Sequence, residues 1–121
     1  SAHDYSRFLY ALWNDRLPYA AELKKIMSLP NRDRIGHGVE EIPDRVVVYD
    51  KTGSTARLCG DMGILDCPGR NGRRYAYTFV GIIERDKRAA NYGKWIGSRS
   101  DVLREVSATV YDFMKRRHRL V

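Results

Sequence analysis

The sequence predicts an α+β fold: a three-stranded antiparallel meander, an N-terminal helical hairpin, and a long C-terminal helix packed on the sheet. Three observations carry this. The run Val46-Val47-Val48-Tyr49 is β-branched and aromatic, and it feeds directly into Asp50-Lys51-Thr52-Gly53-Ser54-Thr55. A turn signal, Pro68-Gly69-Arg70-Asn71-Gly72, separates two further strand-like runs. Apolar residues at helical spacing occupy both ends of the chain.

The first helix opens at Ser1, with Asp4 placed to close a capping box, although Ser1-Ala2 also reads as a cloning remnant. Tyr5, Phe8, Leu9, Leu12 and Trp13 make one apolar face that ends near Arg16. Pro18 suits the first turn of a second helix, with Tyr19, Leu23, Ile26 and Met27 as its face and Pro30 as its stop. Asn31 to Asp44 reads as a short helical turn around Arg32 to Ile35 and then a loop, where His37 between two glycines is solvated. Strand one is expected over Arg45 to Ser54, strand two over Arg57 to Asp66, and strand three over Arg74 to Glu84. Short turns between consecutive strands make the meander antiparallel. Both faces of strand three read as at least partly buried. Arg85 to Ser98 reads as a charged, glycine-containing loop. Ser100 is expected to cap the last helix, with Leu103, Val106, Val110, Phe113 and Met114 inward and Lys115, Arg116, Arg117 and Arg119 against its negative end.

The 121 residues are expected to form a single domain, residues 1–121. The formal net charge is +7. Such a balance suits a nucleic-acid or anionic-surface partner, but it is also ordinary solubility with a basic tail. No recognised nucleic-acid motif accompanies it, and the aromatics fit core stripes. No apolar run is long enough for a membrane helix. Cys59 and Cys67, if on one strand, lie about 26 Å apart and cannot bridge. No metal or cofactor is assigned. A cysteine hydrolase is disfavoured because His3, His37 and His118 have no motif spacing to either thiol.

Lys51-Thr52-Gly53 is one of three motifs of class A β-lactamases and penicillin-binding proteins, and Gly60-Asp61-Met62-Gly63-Ile64 on the next strand resembles that family's partner strand. The element order resembles the C-terminal part of the family's αβα fold over nearly the whole chain. The likeness is sharp around residues 48–65. It implies catalytic roles for Lys51, whose ammonium sits beside the nucleophile, and for Ser54, whose backbone N–H supplies half of an oxyanion hole. It implies substrate contacts at Thr52, Gly53, Thr55 and Arg57, the hydroxyl and cations holding a carboxylate. The plain alternative for Lys51 and Thr52 is an ordinary strand end.

The family's other motifs are missing. None of Ser28, Ser54, Ser98 or Ser107 has a lysine three residues on, and Ser100-Asp101-Val102 is only a loose match to Ser-Asp-Asn. Without an activated serine, acylation has no mechanism. The resemblance therefore implies the C-terminal half of a serine acyl hydrolase, inactive alone. Its partners are the missing N-terminal half and a β-lactam or peptidoglycan-type substrate, in a periplasmic or secreted setting. A small basic binding module is the second reading. In the family, N-terminal strands pair beside strand three. Here Arg74 to Glu84 is expected to be an edge and to form a homodimer.

Overall fold

The computed structural model describes every residue from Ser1 to Val121. Its elements are α1 (Ala2–Trp13), α2 (Ala20–Met27), β1 (Val47–Ser54), β2 (Leu58–Pro68), β3 (Arg74–Glu84) and α3 (Tyr92–His118). The strands form one antiparallel sheet in the order β1-β2-β3. No helix is long and apolar enough to cross a membrane.

The capping box forms as the sequence predicts. The Asp4 backbone N–H donates to Ser1 Oγ, and the Asp4 carboxylate accepts from the Ser1 amine and hydroxyl. Helix α1 buries Leu9 and Leu12 against Ile64, Ala20 and Met27. It ends at Trp13 rather than Arg16, because Asn14 and Asp15 turn the chain, Asp15 with a positive φ. The predicted face of α2 is partly wrong. Tyr19 is the residue before the helix, at φ 60°, and both it and Ile26 are exposed. Ala20, Leu23 and Met27 face the core instead.

The expected turn of helix at Arg32 to Ile35 does not form. The Asp33 carboxylate takes over its role, accepting backbone N–H bonds from Ile35, Gly36 and His37 at 2.6–2.9 Å. A short acid side chain that satisfies three donors holds a bend without a helix. Strand boundaries shift by two residues at most: β1 starts at Val47, β2 runs Leu58 to Pro68, and β3 keeps Arg74 to Glu84. Residues along β3 are mostly half-buried on both faces, as expected.

Two layers cover the sheet. Tyr49, Ile64, Met62 and Val80 pack against α1 and α2. Val48, Leu65, Cys67 and Phe79 pack with Tyr111 of α3 and with Ile35, Val39 and Ile42 of the connecting loop. Strand alternation separates these sets: even residues of β1 face α3 and odd ones face α1.

Helix α3 corrects the sequence reading most. It begins at Tyr92, inside the expected loop, and its cap is Asn91, whose side chain accepts from the Lys94 N–H at 3.1 Å. Ser100 lies inside the helix and is buried. Gly93 and Gly97 each cost a helix about 1 kcal/mol, which is why the stretch reads as loop. Trp95 offsets that cost. Its ring is buried, its indole N–H donates to Thr55 O, and the guanidinium groups of Arg85 and Arg99 lie over it. The inward stripe is Trp95, Ser100, Leu103, Ser107 and Tyr111. Val106 and Phe113, expected inside, are exposed. The helix turns its serines inward because each has a partner there: Ser107 Oγ donates to Ile35 O at 2.7 Å, and Ser100 Oγ accepts from Arg34.

Candidate functional site

Strand β1 is an edge of the sheet, and part of the predicted set lies along its outer side. The turn after it is closed by reciprocal bonds between Thr55 and Leu58. Backbone groups alternate along an antiparallel pair, so Thr55 points its N–H at β2 and Ser54 points its N–H away from it. Thr52 faces the same open side, and the Lys51 ammonium folds over to donate to Thr52 O at 2.6 Å. The free edge therefore presents the Lys51 ammonium, folded onto Thr52 O, and the Ser54 backbone N–H.

Lys51, Thr52 and Gly53 also border an open hollow of about 140 Å³. Its floor is apolar, with Leu58, Met62, Val80 and Ile82, and Tyr5 of α1 stands at its rim. The structure does not bring Ser54, Thr55 and Arg57 to this hollow. The Ser54 hydroxyl points to the opposite face of the sheet. Thr55 sits in the turn, where its hydroxyl accepts from the Arg57 N–H and its carbonyl accepts from Trp95. Arg57 is exposed and reaches only Arg85 O, at 3.5 Å.

Beneath the strand lies a residue that the sequence reading missed. Arg34 is 6% exposed. Its Nη2 donates to Ser54 Oγ at 2.6 Å, and its Nη1 donates to Gly60 O at 2.8 Å and Gly53 O at 3.2 Å. Its Nε donates to Ser100 Oγ at 2.9 Å. One planar fork thus holds the last two residues of β1, the facing residue of β2 and α3 together. None of the chain's five ion pairs includes it. Its charge sits among carbonyl and hydroxyl oxygens, directly behind the Gly53–Ser54 peptide.

Two carboxyl groups share this buried layer. Asp50 and Asp61 are 5% and 3% exposed, on neighbouring strands and the same face. Asn31 Nδ2 donates to Asp50 Oδ1 at 2.9 Å, and the Arg34 backbone N–H donates to Asp61 Oδ2 at 2.8 Å. The other oxygen of each carboxyl has no partner among fixed donors. A proton held between them satisfies both. Burial pushes Asp61 up to about 8, reinforced by Asp50 and Asp33. Burial also raises Asp50, opposed by hydrogen bonding from Asp61 and Asn31 and by the Lys51 charge. Asp50 of this pair directly precedes Lys51 on β1.

Both cysteines are buried and unbridged on β2, and burial pushes the Cys67 thiol up to about 12. A thiol so protonated is a poor nucleophile.

A search of curated proteins finds no match. The description of the beta-lactamase enzyme family, by contrast, matches residues 1–114. With a β-lactamase-like hydrolase fold over nearly its whole length, this chain belongs to the beta-lactamase enzyme family, within the serine β-lactamase and penicillin-binding superfamily.

Proposed function

We propose that these 121 residues supply the Lys-Thr-Gly wall of a serine acyl hydrolase acting on a β-lactam or a D-alanyl peptide, and that they form one domain inactive on its own. The observation that carries this is the open edge of β1, where the Lys51 ammonium borders an accessible groove and, further along the same edge, the Ser54 N–H points outward. An acyl carbonyl under attack gathers negative charge on oxygen, and a fixed N–H donor stabilises it. Lys51 and the Thr52 hydroxyl suit a substrate carboxylate. Arg34, though out of reach of solvent, adds positive potential behind the same peptide. The serine that attacks, and the base that activates it, lie outside these residues. The exposed stripe Val102, Val106 and Phe113 on the outer side of α3 supports further protein packing there. Strand β3, the other edge of the sheet, pairs with a second copy when this chain stands alone.

Labelling with a fluorescent penicillin tests the reading. The gene product that carries these residues together with the Ser-x-x-Lys motif should form a covalent adduct. The 121-residue chain should form none. An adduct on the isolated chain, or none on the longer product, counts against it.

A further inference from the structure

At the end of the molecule away from Lys51, two arginine-rich segments distant in sequence meet. The β2–β3 turn is tied to the end of α3 by a bridge between Gly69 and Leu120. Two backbone bonds reinforce it, Arg70 N–H to Arg119 O and Val121 N–H to Pro68 O, each at 3.0 Å. The rings of Tyr75 and His118 stack with centroids 5.4 Å apart, and Asn71 Nδ2 donates to Tyr75 OH at 3.1 Å. Leu120 is fully buried and anchors the junction. Arg70, Asn71, Tyr75, Arg117, His118 and Arg119 then line a hollow of about 430 Å³.

Charge is concentrated at this pole. Residues 66–76 and 112–121 carry seven Lys or Arg side chains against two Asp, leaving +5 of the chain's +7. Both acids are already taken, Asp66 by Arg74 and Asp112 by Arg116. Arg70, Arg73, Lys115, Arg117 and Arg119 have no acidic partner. The negative end of α3 offsets basic residues in its own last turn. It gives no account of Arg70 and Arg73, which the turn brings in. Cations held close without counter-ions repel one another, and a bound anion relieves that.

We propose that this hollow binds a compact ligand carrying two phosphoryl groups. Arginine rather than lysine dominates the lining, and its planar fork matches two phosphoryl oxygens at once. The positive charge forms a cup at one end of the molecule rather than a stripe along it, and the Tyr75 ring is already stacked on His118. Both features suit a small polyanion better than an extended strand of nucleic acid. The site is independent of the hydrolase reading.

The test is titration of the ¹⁵N-labelled chain with inorganic pyrophosphate. Saturable one-to-one binding is expected, with a dissociation constant of about 1 mM or tighter. Shifts should be confined to Gly69 to Tyr75 and Lys115 to Val121. Arg70→Gln/Arg117→Gln should weaken binding at least about tenfold, and Arg7→Gln/Arg45→Gln, elsewhere on the surface, should not. Unmoved resonances outside the pole will show that the variants fold. Sedimentation with cardiolipin vesicles, whose lipid headgroup carries two phosphates, separates the two sources of the ligand. Sedimentation that pyrophosphate reverses assigns the site to a lipid headgroup, and its absence assigns it to a soluble diphosphate. Failure to saturate by about 10 mM, shifts spread over all surface arginines, or duplex DNA binding that pyrophosphate does not displace would overturn the proposal.

Discussion

Asp61→Asn should make the chain more stable near neutral pH, and the gain should grow as pH rises. The Asp61 carboxyl is 3% exposed and its pKa is pushed from 3.8 up to about 8, chiefly by burial. Below pH 3.8 folded and unfolded chains both hold its proton. Between 3.8 and about 8 only the unfolded chain gives it up, so stability falls as pH rises, and above about 8 the loss is complete. One proton is worth about 1.4 kcal/mol per pH unit, so the wild-type chain should lose about 2–3 kcal/mol between about pH 5 and pH 7 from this group. Against a total stability of about 5–15 kcal/mol that loss is large. Asparagine has no proton to lose. It keeps an oxygen for the Arg34 N–H and offers an N–H to the unpartnered Asp50 oxygen. Urea unfolding at several pH values between about 5 and 8 reads the effect. The difference between variant and wild type cancels the histidines and every titration that does not depend on Asp61, leaving that of the Asp50–Asp61 pair. Parallel profiles, or a variant less stable at pH 8 than at pH 5 relative to wild type, would refute the shared-proton account.

Three further expectations follow from the same layer and from the edges. Gly63→Ala should destabilise by at least about 1–3 kcal/mol, because a Cβ there meets Tyr49 O at 2.6 Å and Ile35 Cδ1 at 2.8 Å; a denaturation midpoint equal to wild type would show that the strands yield. Arg34→Met should cost about 3 kcal/mol, since it removes the buried guanidinium bonds to Gly60 O, Ser54 Oγ and Ser100 Oγ, and the amide resonances of Gly53 and Ser54 should move with it; an unmoved Ser54 amide would remove Arg34 from the site. Light scattering at high micromolar concentration should give a two-fold dimer through β3, and a monomer of 14.0 kDa would show that this edge is self-sufficient.

Much of the fold was legible because its signals are local. The capping box at Ser1, the alternation of Arg74 to Glu84 and the turn after Pro68 are short-range patterns, and the structure keeps them. Helix α3 was misread where long-range packing overrides propensity. Nothing near Gly93 and Gly97 says that Trp95 will reach Thr55. Its buried face was misjudged because Ser100 and Ser107 read as surface residues until their partners, Arg34 and Ile35, are known. Within the candidate site, Lys51-Thr52-Gly53 is visible in the sequence as the polar end of a strand-like run. Arg34 and Asp61 did not stand out, although one sign was present: Asp50, a charge directly continuing a run of buried-strand residues, implied a polar partner across the sheet. The buried network joins positions 34, 54, 60 and 100, a grouping that no spacing rule contains.

In the proposed enzyme Lys51 works beside a serine supplied from outside these residues. Turnover of a chromogenic cephalosporin by the nucleophile-bearing gene product measures it most directly, wild type against Lys51→Ala. Loss of one charge-assisted contact that acts on the transition state should lower kcat/KM by about 10²–10³-fold, while thermal stability stays near wild type because the Lys51 side chain is exposed. An unchanged rate in the Lys51→Ala protein would contradict the account and leave Lys-Thr-Gly here as the end of a strand.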